Sequence, residues 1–170
     1  DKLLSDVKVR QALCYLVNVD QILEKVIYNM GIRNNSAILP MKKEVINPAI
    51  QFFPYDPNKG KSLLTEAGWK DTDGDGILDK TIEGVKTNFE LTYNYNSGNS
   101  LREMVGLLMQ RTFKQVGIAL TIKPLEWSLY NDELKKHNCQ MWYQGWVPGP
   151  GVDDNKQLFH LYYTQGYQST

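Results

Sequence analysis

The chain has 170 residues, enough for one domain with a sizeable core, and its Lys+Arg and Asp+Glu counts balance at 19 each. That balance argues against a global field drawing it to nucleic acid or an anionic membrane. No run reaches the roughly 20 apolar residues a spanning helix needs, and the two cysteines, Cys14 and Cys139, fit neither a metal spacing nor a disulfide framework and are expected to be small core residues.

Asp6 is placed to cap a first helix, with Val9, Ala12, Leu13, Leu16 and Val17 recurring at helical spacing. Asn18 interrupts it. Asp20 then predicts a second capped helix, with Ile22, Leu23, Val26 and Ile27 inward and Gly31 as its left-handed stop. Residues 32–56, with Pro40, Pro48 and Pro54, read as an irregular wrapping segment. Asp56-Pro57 starts a third helix, because a capping carboxylate precedes a proline whose missing N–H costs nothing there; Gly68 ends it.

Asp71-Thr72-Asp73-Gly74-Asp75-Gly76-Ile77-Leu78-Asp79 spaces its carboxylates like the first nine positions of a calcium-binding EF-hand loop. Asp71, Asp73, Asp75 and Asp79 are the candidate calcium ligands, in a structural role. Position twelve is Ile82 rather than the closing glutamate, and Glu83 comes one step late. The alternative is an acidic hairpin tip that satisfies its own backbone through Asx turns.

From residue 88 to residue 146, extended runs alternate with helical ones. Residues 89–96 and 118–122 read as strands, 101–113 as a helix stopped at Gly117, and 139–146 as a third strand after a short polar helix. This pattern predicts βαβ units on a largely parallel sheet, hence an α/β fold. Ligands meet such sheets at the carboxyl ends of the strands, which is where Tyr95, Trp127 and Trp146 fall. Pro148 to Gly151 are expected to form a loop, and Asp153-Asp154 to cap a last helix carrying Leu158, Phe159, Leu161 and Tyr162.

Catalytic constellations are weak. His137 and His160 lie apart, and neither has a nearby Ser or Cys in a nucleophile-elbow setting; the glycine-rich run 145–151 lacks the Lys-Ser/Thr of a phosphate loop. Glu126 with Asp153 or Asp154 would be the acidic pair of a hydrolase, and a calcium-stabilised interaction module is a third class of reading.

Several of these stretches resemble one family. Asp6-Val7-Lys8-Val9-Arg10-Gln11-Ala12-Leu13 resembles the D-x-x-V-R-x-A-L helix of the family 5 extracellular solute-binding proteins, the receptors of ABC importers. Asn18-Val19-Asp20 follows, with Asn-Val where Asp-Arg is usual. Tyr55-Asp56-Pro57-Asn58-Lys59-Gly60-Lys61-Ser62-Leu63-Leu64-Thr65-Glu66-Ala67-Gly68-Trp69 is similar to the Y-D-P-x-K-A-K-x-L-L-x-E-A-G-W signature, commonly followed by a D-x-D-G-D-G loop. Leu125-Glu126-Trp127 and Gly145-Trp146 match later landmarks.

The resemblance implies a lobe of a class II periplasmic-binding-protein-like fold, with a central, mostly parallel sheet flanked by helices. Residues 1–170 would be a single domain, most of the second large lobe of a two-lobed protein whose first lobe lies elsewhere. It implies a non-enzymatic receptor, without catalytic residues or required cofactor. Such a receptor binds a solute, an oligopeptide first and a sugar or other non-peptide second, and closes like a hinge. It would act as a monomer with ABC permease subunits, in the periplasm or lipid-anchored outside the membrane. Trp127, Gly145 and Trp146 carry over to the cleft. Where peptide-binding members hold the ligand's amino terminus with an aspartate three residues beyond the second tryptophan, this sequence has Gly149, and Asp153 or Asp154 is the substitute.

Overall fold

A computed structural model describes residues 2–34, 46–47 and 49–145. Helices α1 (Val7–Leu16), α2 (Val19–Lys25) and α3 (Pro57–Glu66) precede a hairpin of β1 (Asp79–Ile82) and β2 (Val85–Asn88). Then come β3 (Glu90–Asn96), α4 (Ser100–Gln115), β4 (Ala119–Leu125), α5 (Trp127–Lys135) and β5 (Met141–Trp142). Trp146, Gly149, Asp153, Asp154, His160 and the expected last helix lie outside the described residues, as does Pro40.

The expected helix starts hold at α1 and α3. Asp6 accepts from the Lys8 N–H at 2.8 Å, and Asp56 accepts from the Lys59 N–H at 2.9 Å. At α2 the cap is Asn18, not Asp20: its Oδ1 takes the Gln21 N–H at 2.9 Å, and Asp20 sits in the first turn, where a carboxylate still favours the helix dipole. The chain leaves α2 through left-handed Tyr28 and Asn29 rather than at Gly31. Helices α1 and α3 lie close because residue 60 is glycine, as a Cβ there would stand 2.8 Å from Leu16 Cγ and Cδ2. Cys14 is on the exposed side of α1, a correction to its expected place in the core; Cys139 is half-buried.

Trp69, which follows the Gly68 stop, turns inward, with 2% of its surface exposed and its ring 4.4 Å from that of Phe89. The β1–β2 turn is Glu83-Gly84, both with positive φ, whereas the acidic loop is the tip of a separate antiparallel bridge, in which the Asp79 N–H donates to the Lys70 carbonyl at 2.7 Å and the Lys70 N–H to that of Asp79 at 3.1 Å. The loop is tied to the α4–β4 turn by the Leu78 N–H, which donates to the Gly117 carbonyl at 2.7 Å.

The parallel sheet has the order β4-β3-β5, with Tyr93 opposite Ile122 on one side and Met141 on the other. Leu91, Tyr93 and Tyr95 alternate with Thr92, Asn94 and Asn96, which sends them to opposite faces. The first set joins the main core, where Gly106 lets α4 settle onto Tyr93. A smaller cluster of Leu125, Tyr130 and Leu134, with Cys139 and Trp142 against it, packs around α5.

Both flanks of the sheet have side-chain substitutes for missing strand partners. Where β5 is too short, Gln140 Oε1 accepts the Thr92 N–H at 2.8 Å. Strand β4 is longer than expected and runs through Pro124. Ala119 and Leu125 bond towards β3, so Leu120, Ile122 and Pro124 turn their backbone groups outward. There Gln110 Nε2 donates to the Leu120 carbonyl at 2.7 Å, and Pro124 has no N–H to offer. A proline is tolerated on such an outer strand, and it blunts the edge against further pairing.

Candidate functional site

The strand order places β3 between the two strands that follow it, so the connections after β3 and β4 leave from the carboxyl ends of adjacent strands. This is the crevice where open α/β sheets bind ligands. The end of β3 is closed by the Ser97 N–H, which donates to the Leu125 carbonyl at 2.7 Å. Asn99 then caps α4 by accepting from the Arg102 N–H at 3.0 Å, and this fixes Arg102 in the first helical turn.

Arg102 is half-buried, and its Nη1 donates to Asn96 Oδ1 at 2.6 Å. Its guanidinium lies over the Tyr143 ring at 5.5 Å from the centroid, within cation–π range. Gly145 is close by, since a Cβ there would lie 3.9 Å from Arg102 Nη2. Among the described residues no carboxylate pairs with Arg102. A cation in the first turn also opposes the helix dipole. Both facts make this guanidinium a candidate, among the described residues, for pairing with a negatively charged group.

The neighbouring wall comes from α5. Glu126, offered as half of an acidic pair, caps that helix by accepting from the Ser128 N–H at 2.8 Å. Trp127 follows it with 52% of its surface exposed, and its ring centroid is 6.1 Å from that of Tyr130. Tyr130 in turn donates its hydroxyl to the Tyr143 carbonyl at 2.8 Å. Trp127, Tyr130, Tyr143, Arg102 and Asn96 thus form one chain of contacts across the strand ends. Tyr95 is placed differently: 4% exposed, it lies in the core with its ring stacked 5.9 Å from that of Tyr93.

Sequence reasoning singled out Trp127 and Gly145 but missed Arg102, Asn96 and Tyr143. The available signal was Arg102 itself, three residues after a capping asparagine and set against the dipole of the helix that leaves the central strand.

The acidic loop is a second, separate place. Carboxylate oxygens of Asp71, Asp73 and Asp79 lie within 4.8 Å of one another. Asp75 stands apart and accepts from the Ile77 N–H at 2.7 Å. Asp71 accepts from the N–H groups of Gly74 at 2.7 Å and Gly76 at 3.0 Å. Buried Asp79 takes the Thr72 N–H at 2.9 Å and its hydroxyl at 2.7 Å; the backbone bond first, then the hydroxyl, holds its carboxyl below the usual carboxylate range. Lys86 pairs with Asp73 and stands 3.6 Å from Asp79.

Among the described residues no helix is long and apolar enough to cross a membrane. The family model for bacterial extracellular solute-binding proteins, family 5, matches residues 1–169. The chain is 35% identical over 166 residues to the oligopeptide-binding protein AppA of Bacillus subtilis, covering 94% of this chain and 29% of that protein. The structure of AppA in complex with a nonapeptide superposes with a TM-score of 0.81 at 29% identity, covering 98% of this chain and 32% of that one. A mannohexaose-bound periplasmic oligopeptide-binding protein from Thermotoga maritima superposes at 0.71, again at 29% identity, over 84% of this chain and 27% of that one. The chain therefore spans about a third of the length of the relatives it matches. These relatives are solute-binding proteins rather than enzymes. On the match of the family model to nearly every residue, the chain belongs to family 5 of the bacterial extracellular solute-binding proteins.

Proposed function

We propose that these residues form one lobe of a receptor that delivers oligopeptides to an ABC permease outside the cytoplasmic membrane. Ligand would sit against the carboxyl ends of the sheet and draw a second lobe down by hinge closure, since closure requires tighter binding to the closed state than to the open one. The observation that carries this reading is Arg102, a half-buried guanidinium with no carboxylate partner among the described residues, joined through Tyr143 and Tyr130 to the exposed ring of Trp127. Together they offer a charged anchor for a carboxylate and an apolar face for a side chain. Trp146 would extend that wall, and Asp153 or Asp154 would take the amino terminus in place of Gly149.

A second reading, a sugar receptor of the same family, is supported by the same tryptophan, because an exposed aromatic face suits a pyranose ring, and by the mannohexaose-bound neighbour. Thermal melting of the full protein with mixed tripeptide to pentapeptide pools, and separately with manno-oligosaccharides, decides between them. A ligand at 100 times its Kd stabilises the native state by about 2.7 kcal/mol. Peptides are expected to raise the melting point and Trp127→Ala to weaken that effect; a rise with sugars alone would overturn the peptide reading.

For the acidic loop, we propose that Lys86 rather than a calcium ion neutralises the cluster. The support is that Asp71 and Asp79 already spend their oxygens on loop N–H groups and on Thr72, while the ammonium sits at Asp73 and Asp79.

A further inference from the structure

Resting on the reading of Arg102 as an anchor, we infer that Tyr93 is its positioning residue. Tyr93 is 1% exposed in the middle of β3, a place where phenylalanine would fill the same volume without a polar group. Its hydroxyl reaches the first turn of α4 and donates to the Arg102 carbonyl at 2.9 Å. The route exists because residue 106 is glycine: a Cβ there would stand 2.7 Å from Tyr93 Cε1 and 2.8 Å from Cδ1, closer than real Cβ atoms come. The backbone of Arg102 is therefore held from two sides, its N–H by Asn99 Oδ1 and its carbonyl by Tyr93.

The consequence concerns the direction of the side chain. A helix N-terminus held only by its cap frays within the first turn. The buried hydroxyl pins that turn to the central strand, and Asn96, three residues after Tyr93 on the same strand, then fixes the guanidinium from the front. Burial also pushes the Tyr93 hydroxyl well above its ordinary pKa, so it remains a donor throughout the physiological range. Strand β3 thus sets both the backbone and the head of Arg102, and with them the placing of a ligand carboxylate.

The test uses the full protein with random tripeptides as free acids and the same pool as C-terminal amides. Wild type is expected to favour the acids by about tenfold, the scale of a hydrogen-bonded charge pair. Tyr93→Phe should reduce that ratio about threefold while leaving the amide affinity nearly unchanged and lowering the melting temperature by only a few degrees, the scale of one lost buried hydrogen bond. Gly106→Ala, which displaces α4 from the ring, should reduce it in the same direction. An unaltered ratio in Tyr93→Phe would overturn the inference, leaving Tyr93 a packing residue only. Arg102→Gln separates the two levels: if it too leaves the ratio unaltered, or if neither pool binds, the anchor reading falls and this inference with it.

Discussion

Gly60 shows how one residue can decide the spacing of two helices. In the interior of α3 a glycine costs about 1 kcal/mol relative to alanine, so on propensity alone Gly60→Ala should stabilise. The added Cβ, however, would meet fully buried Leu16 at 2.8 Å, at the branch carbon as well as the tip, and Ala12 O at 3.3 Å. Overpacking of that kind costs about 1–3 kcal/mol. We expect Gly60→Ala to lose about 1 kcal/mol net in chemical denaturation; a gain would mean that α1 and α3 are less tightly seated. The sequence placed Gly60 on α3 but offered no sign that it faces α1. Gly106 and Tyr93 were opaque for the same reason, since the identity of the neighbour is a long-range fact.

At the scale of elements, the acidic loop and its hairpin pose the sharpest question. The spacing of Asp71, Asp73, Asp75 and Asp79 left two readings open, calcium ligands or an Asx-turned tip, and the N–H groups accepted by Asp71 and Asp75 are those of the second. The cation was invisible, because Lys86 lies on β2 and reaches the cluster only once the Glu83-Gly84 turn folds the hairpin back. Millimolar calcium is expected to leave the melting midpoint where it is. A rise of several degrees, the response to about 2.7 kcal/mol of ligand stabilisation, would show that an ion displaces Lys86. Element types were legible throughout the sheet and its helices. Boundaries were less so: β4 passed through Pro124 because its outer edge needs no partner there, which only the strand order reveals.

Among the described residues the core is uneven. Residues from α1, α3, α4 and the central strand share one large cluster, whereas α5 brings Tyr130 and Leu134 to a small one with Leu125, Cys139 and Trp142. Among the described residues α5 shares little apolar surface with the main core, and segments with few buried contacts open at lower free energy than the global transition. Hydrogen exchange on the 170-residue chain should find the amides of α5 exchanging well before those around Val105 and Phe113 of α4; equal protection would contradict this division. Because α5 carries Trp127, one wall of the proposed site would be its more mobile part. The sequence alone sufficed for the family, the α/β class, the helix caps at Asp6 and Asp56 and the exposed tryptophan, since caps, periodicity and turn residues act within a few positions. The partner of Arg102, the burial of Tyr95, the inward turn of Trp69 and the closure of the acidic loop by Lys86 waited for the tertiary structure. Each of these depends on which distant side chain arrives, and that is decided only when the strands have taken their order.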